Sequence, residues 1–182
     1  GDATVIRSSG QTMLIDVGRD PEPIAKCLES LGISQIEVLL LTHFDADHVG
    51  GLTGALKRAQ VSKALISPFD DQRPQVAVAL AQLAEADVSV STAEVGDRGT
   101  LGDATWIVAA PEPRAAGAED SNDASVILRV ETSQWLMLAF ADAGERAQMR
   151  TVRLRNSLLN RTPGKPLIVK VSHHGSADQY AE

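Results

Sequence analysis

The sequence predicts an α+β protein, a pseudo-twofold sandwich of two mixed sheets with helices outside. Two observations carry that prediction. The first is an internal repeat, in which Asp2-Ala-Thr-Val-Ile6 returns as Asp123-Ala-Ser-Val-Ile127. Each copy opens a hairpin whose second strand runs into an aspartate, Asp16 in one half and Asp142 in the other. A helix, an apolar strand and a histidine motif follow in both, Thr42-His43 first and Ser172-His173 second. Chance explains five shared residues more easily than a whole ordered series, so the series points to duplication. The second observation is that His43, His48, His173 and His174, the full complement of histidines, sit in two short motifs behind apolar runs at 36–41 and 167–171. Loops at strand ends are where a layered α/β protein presents reactive groups. The two halves are therefore expected to bring these loops together along one edge of the two-sheet core.

The 182 residues read as one soluble globular domain over 1–182, with halves of about 1–95 and 96–182. Apolar content of 43% supplies a core of Leu, Val, Ile and Ala, because aromatics make up only 3%. No apolar run approaches the ~18 residues of a membrane-spanning helix, and no secretory signal pattern is visible. A lone Cys27 excludes a disulfide framework and a thiolate metal cluster. The net charge of −7 argues against a strongly basic nucleic-acid module. Yet Arg146 to Lys170 holds seven basic residues and no acid. That segment reads either as a solvated helix face or as a track for a phosphate backbone. Arg146, Arg150 and Arg153 share one helical face and Arg155 lies off it, with Met149, Val152 and Leu159 expected toward the core.

In order, 3–7 and 12–16 form a hairpin across Ser8-Ser9-Gly10. Asp20 as N-cap, Pro21 at the first helical position and Gly32 as the stop set a helix over 21–31. The run 36–41 is a strand, 51–58 a short helix, 63–67 a strand, and the Ala/Leu-rich 75–86 a helix. Strands are expected at 88–92 and 105–109, with Gly96, Gly99 and Gly102 marking turns between them. Residues 111–122 form a Pro/Ala/Gly/acid loop, expected to be mobile and to border a site. Segments 124–131 and 135–140 make the second hairpin, 144–159 a helix, Pro163-Gly164 a turn and 167–171 the last strand.

The densest chemistry lies in residues 40–51, LLTHFDADHVGG. His43, Asp45, Asp47 and His48 place two imidazoles and two carboxylates within six residues, and imidazole is the commonest ligand for zinc-like metals. Gly50-Gly51 is expected to let the chain turn tightly before the next helix. A capping loop with incidental histidines is the competing reading. Convergence of the motif ends would give Asp47, His48, Asp142 and His173 as a mixed nitrogen and oxygen ligand set, with His43 and Asp45 as a second site beside it. Two metals about 3.5–4 Å apart suit the hydrolysis of phosphate esters, and Asp142 is the natural bridge. Asp142 would serve equally well as the cap of the helix after it. Asp16, its counterpart, is expected to accept hydrogen bonds from backbone amides of the ligand loop.

These motifs resemble the metallo-β-lactamase superfamily, an αββα sandwich of di-metal hydrolases. More narrowly, GDATVIRS, LLLTHFDADHVGGL, NDASVILRV, FADAGERAQ and LIVKVSHHGSADQY resemble, in this order, the C-terminal domain of ComEC-type competence proteins. The resemblance covers nearly the whole chain. It implies a nuclease with DNA, single- or double-stranded, as substrate, and one or two divalent ions, Mn or Zn with Mg also suited. It further implies the membrane channel portion of a parent protein as partner, and an extracytoplasmic position on a bacterial inner membrane. Asp47 or Asp142 would orient the attacking hydroxide, and His174 would contact the phosphate or protonate the leaving oxygen.

Departures from the family pattern carry expectations of their own. The usual HxHxDH has Asp45 at its second histidine, and no isolated histidine lies between residues 49 and 172. The third ligand of the first metal position is thus missing, with Asp123 either its substitute or a turn residue. That position should favour Mn²⁺ or Mg²⁺ over tightly held Zn²⁺. Ala141 stands where glycine usually precedes the bridging aspartate. The family's DVGQGD opening begins here at its final Gly-Asp and the chain stops soon after HHGS, so the sandwich is expected to be incomplete at both ends. Two further readings remain: a small-molecule phosphodiesterase or esterase of the same fold, and a non-catalytic domain that binds DNA or a partner.

Overall fold

The computed structural model describes residues 1–111, 120–152, 155–177 and 179–180. The first half runs β1 (Thr4–Ser8), β2 (Gln11–Ile15), α1 (Pro21–Ser30), β3 (Gln35–Ile36), β4 (Val38–Leu41), α2 (Ala46–Val49), α3 (Leu52–Arg58), β5 (Gln60–Val61), β6 (Lys63–Ile66), α4 (Pro74–Glu85) and β7 (Ser89–Thr92). The second half runs β8 (Arg98–Leu101), β9 (Ala104–Ala110), β10 (Ile127–Glu131), β11 (Leu136–Ala139), α5 (Glu145–Val152), α6 (Arg155–Leu158) and β12 (Leu167–Lys170), ending in a 3₁₀ turn at Ser172–Gly175. One sheet has the order β1-β2-β4-β6-β7 and the other β12-β11-β10-β9-β8. In the first, β1 pairs antiparallel with β2 and β2 parallel with β4. In the second, β10 pairs antiparallel with β11 and β11 parallel with β12. The repeat in the sequence is thus a repeat in topology.

Three apolar seams hold the layers together. Side chains alternate across a strand, so along β4 Leu39 and Leu41 turn to the helices while Val38 and Leu40 turn to the other sheet. The outer seam joins Leu14, Leu39 and Leu41 to Ile24, Leu28, Leu52 and Leu83 of the helices. The middle seam joins Met13, Ile15, Leu40 and Leu65 to Trp106, Val108, Leu128 and Val130 of the second sheet. The third joins Ile127 and Leu138 to Ala147 and Leu158. This helix–sheet–sheet–helix order is the αββα sandwich. Among the described residues no helix is long and apolar enough to cross a membrane.

Several local expectations change for physical reasons. The run 36–41 is broken at Glu37, whose N–H donates to Thr12 O at 2.9 Å while its carboxylate accepts Thr12 N–H at 2.6 Å. Gly99 lies inside β8, where a Cβ would strike the Trp106 ring, so it marks close packing rather than a turn. Gly50 (φ −62°) and Gly51 (φ −78°) have ordinary helical backbone. They are small because a Cβ would collide with Arg19 O and Val17 O. Asp20 takes the N-cap position without a side-chain cap bond. Met149 (42% exposed) and Leu159 (40%) face outward, and among the described side chains the buried ones there are Ala147, Thr151 and Leu158, with the Val152 side chain outside them. Arg153, the Arg155 side chain and most of the 111–122 loop lie outside the described residues.

Candidate metal centre

Ends of β2, β4, β11 and β12 supply the site, and Asp16 organises its first half. Asp16 follows β2 in the left-handed region (φ 55°), a conformation Asp tolerates better than most residues. Its carboxylate is buried and accepts Thr42 N–H at 2.8 Å through Oδ1 and Thr42 Oγ1–H at 2.7 Å through Oδ2. Because that hydroxyl proton is committed to Asp16, the 3.0 Å contact between Thr42 Oγ1 and His43 Nδ1 has the ring donating. His48 Nδ1 donates directly to Asp16 Oδ2 at 2.8 Å. One carboxylate thereby fixes both rings through Nδ1 and leaves both Nε2 atoms for the site. Metal-binding histidines are oriented in this way.

The second half closes on the first from the opposite sheet. Ser172 Oγ donates to Ala143 O at 2.5 Å and His173 N–H to Ala141 O at 2.9 Å, which tie the histidine turn to the Asp142 loop. Asp142 Oδ2 then lies 3.2 Å from His48 Nε2, 3.4 Å from His174 Nε2 and 3.9 Å from His173 Nε2. Asp47 Oδ2 stands 3.5 Å from His174 Nε2 and 4.0 Å from His48 Nε2. Asp2, held by its N–H to Asp47 O at 3.1 Å and paired with Lys170, brings a carboxylate within 3.4 Å of His174 Nδ1. Ligand atoms of Asp2, His48, Asp142 and His174 all lie within 4.8 Å of one another.

The electrostatics fit a cation at this point. Asp142 Oδ1 is buried without a hydrogen-bond partner and His48 Nε2 has the 3.2 Å ion contact with Asp142 Oδ2 in place of a hydrogen bond, an expensive arrangement for buried polar atoms. Burial alone would push the His48 pKa down, but Asp142 and Asp16 outweigh it and hold the ring at about 10. Against burial, His48 and the other nearby rings hold the Asp142 carboxyl down at about 2. The carboxylates thus demand positive charge, which a divalent ion supplies in place of a proton. The donor set, imidazole nitrogen and carboxylate oxygen, suits zinc, manganese or iron better than a soft metal. His43 differs: burial first, then His48, lowers its pKa and keeps the ring neutral.

On the His43 side the fit fails. Asp45 Oδ2 is 3.9 Å from His43 Nε2, but Asp45 Oδ1 accepts Arg73 Nη1–H at 2.8 Å and Ser121 Oγ–H at 2.9 Å. Among the described residues, ligand atoms converge in two groups, Asp2–His48–Asp142–His174 and Asp16–His43–His48, the second already joined by the His48–Asp16 hydrogen bond, and neither includes Asp45. Asp123 joins neither; its N–H donates to Asp120 Oδ1 in a turn, and it lines a small cavity with Arg150 and Thr151. Of the residues expected from the sequence, His48, Asp142, Asp47, His173 and His174 come together, with His43 against His48 at a ring separation of 4.0 Å. Asp45 stands apart with Arg73. Sequence reasoning missed Asp2 as a member of the cluster and the Asp71–Arg73 pair that holds Asp45. Asp2 had a signal, since it opens the first copy of the repeat. Asp71 and Arg73 had none.

Comparisons with known proteins agree with this architecture. The chain is 26% identical over 155 residues to ComE operon protein 3 of Bacillus subtilis, covering 85% of this chain and 19% of that protein. It is 40% identical over 62 residues to ribonuclease Z of Mycolicibacterium gilvum, covering 34% and 21%. The chain therefore spans about a fifth of the length of these relatives. Among solved structures, a Cronobacter sakazakii metallo-beta-lactamase HARLDQ-motif mutant superposes with a TM-score of 0.58 at 14% identity, over 92% of this chain and 70% of that one. An archaeal metallo-beta-lactamase superfamily protein from Sulfolobus tokodaii gives 0.54 at 15% identity, over 92% and 72%. At such identities the likeness establishes the fold alone. The family model for the metallo-beta-lactamase superfamily matches residues 1–121, and the chain belongs to that superfamily.

Proposed function

We propose that this chain is a metal-dependent phosphodiester hydrolase acting on DNA, the nuclease module of a ComEC-like DNA-uptake protein. The observation that carries the reading is the convergence of His48, Asp142 and His174, with Asp2, on one point between the two sheets. A divalent ion held there would polarise a phosphoryl oxygen and lower the pKa of water toward neutrality. His48, Asp142 and His174 would hold the ion, with Asp16 fixing the His48 ring. Asp47, partly exposed and 3.5 Å from His174 Nε2, would orient the attacking water. His173, with its Nε2 3.9 Å from Asp142 Oδ2 and outside the group of four converging ligands, would protonate the leaving oxygen, and the two adjacent histidines would then exchange the roles expected from the sequence. DNA is favoured by the similarity to ComE operon protein 3 along most of the chain. The shorter match to ribonuclease Z keeps RNA as the second substrate class. In the parent protein the module would face the outside of the inner membrane, beside the channel portion.

The test loads the purified chain with Mn²⁺, Zn²⁺ or Mg²⁺ and assays single- and double-stranded DNA, RNA, bis(p-nitrophenyl) phosphate and a β-lactam. Mn²⁺-dependent cleavage of DNA is expected, lost by at least about a hundredfold in Asp142→Asn and His48→Ala. No β-lactam turnover is expected, because fold does not fix function and the His43–Asp45 side is altered. Efficient β-lactam hydrolysis without phosphodiesterase activity overturns the reading.

A further inference from the structure

Between β6 and α4 the chain builds a clamp around one arginine. Asp71 is 9% exposed, and its two carboxylate oxygens accept Arg73 Nε–H at 2.9 and 3.0 Å, while Oδ2 also accepts Nη2–H at 2.6 Å. Asp71 also accepts the Arg73 backbone N–H at 3.0 Å. Arg73 Nη1 donates to Asp45 Oδ1 at 2.8 Å, on the oxygen that Ser121 shares. The guanidinium is therefore fixed in position and orientation while its side chain keeps 41% exposure. It cannot lose its charge at any ordinary pH. A guanidinium has five N–H donors, and these contacts among the described residues leave one N–H on each terminal nitrogen uncommitted. Beyond Asp45 stands His43, whose Nε2 is buried without a hydrogen-bond partner.

Positive charge is thus already installed where the sequence motif called for a second ion. We propose that Arg73 is the fixed cation of this centre: it replaces the second metal, so that each chain holds one divalent ion, and its free N–H groups bind a phosphate oxygen of the substrate. A two-metal site clamps a phosphate from two sides. Here the His48–Asp142–His174 side supplies one half of the clamp and the arginine the other. Arg suits that task, because a planar, preoriented donor set matches phosphate and loses little entropy on binding. The substrate half of the proposal rests on the phosphodiester reading, whereas the metal count does not.

Two measurements on the full chain test it. Mn²⁺ binding by titration calorimetry, checked by elemental analysis, is expected to give one ion per wild-type chain. Two ions of similar affinity overturn the replacement of the second metal. Inorganic phosphate is then titrated into the Mn²⁺-loaded protein. Arg73→Ala should weaken phosphate binding by about tenfold or more, and Arg73→Lys by less, because it keeps the charge but loses the fork. KM for bis(p-nitrophenyl) phosphate should rise in the same order. Unchanged phosphate affinity in both variants overturns the substrate role. A melting curve for each variant separates lost binding from lost folding, and Arg73→Lys and Arg73→Gln replace the alanine if it does not fold. Absence of hydrolysis by the wild type with any metal would fail the phosphodiester reading, while metal count and phosphate affinity still decide the role of Arg73.

Discussion

Glu131, at the end of β10, shows how a single residue away from the centre ties the fold to pH. Its carboxylate takes Lys165 Nζ at 2.7 Å and Arg129 Nη2 at 2.7 Å. Lys165 foremost, then Arg129, hold its carboxyl below the usual range against partial burial. A carboxyl depressed in the folded state contributes stability that is complete above its unfolded value, about 4.3. That contribution disappears as pH falls through the lower folded value. Glu131→Gln should therefore melt below wild type at neutral pH, with the gap closing as the buffer is taken toward about pH 3. A gap that is constant across that range would mean the ion pairs contribute nothing. Such pairs were not readable beforehand, since Lys165 and Glu131 meet only when β12 docks beside β11. Asp16, Asp142 and the histidines were readable, because a polar residue directly after an apolar strand has few structural reasons to be there. Arg73 was hidden for the opposite reason. It sits in an unremarkable polar connection, and its meaning comes from Asp45, which the fold brings to it.

At the scale of elements, the ligand loop and the loop after β2 are locked by backbone contact as well as by the Asp16 side chain. Val17 N–H donates to His48 O at 2.9 Å and Gly51 N–H to Gly18 O at 2.9 Å. Gly51 meets Val17 O so closely that a Cβ has no space, and backbone cannot move aside as a flexible side chain does. Gly51→Ala should then push α2 and α3 off the 17–20 loop, costing about 3 kcal/mol or more. Metal affinity should fall with it, since Asp16 and His48 are held by the same contact. Gly164→Ala is the control: φ is +84° but nothing lies within 4 Å of its Cβ. It should cost only about 1–2 kcal/mol of backbone strain and leave the metal untouched. Equal loss of metal in both would show that overall stability, not the loop contact, governs the site. The sequence marks glycines in both places alike, and only packing tells the turn glycine from the contact glycine.

At the scale of the molecule, the centre is the point where the two sheets are joined by chemistry as well as by the apolar middle seam. Asp16, His43 and His48 belong to the first sheet and its loops, Asp142, His173 and His174 to the second. The repeat made this legible, since two similar hairpin–Asp–helix–strand–His units bury their apolar faces best against each other. An ion held between them stabilises the folded state by mass action, because the unfolded chain has no such site. At free metal about a hundredfold above Kd the gain is about 2.7 kcal/mol. For a chain of this length that corresponds to a Tm rise of roughly 5–10 °C. Adding a chelator should remove the rise reversibly. Asp142→Asn, which deletes a ligand charge, should show almost no metal-dependent shift. Asp16→Ala should keep its ligands but lose their orientation, with metal affinity down by about 10–100-fold and a higher metal concentration needed for the same Tm. A Tm that ignores both metal and chelator, in a protein that still folds, would mean that His48 and Asp142 satisfy each other and hold no ion.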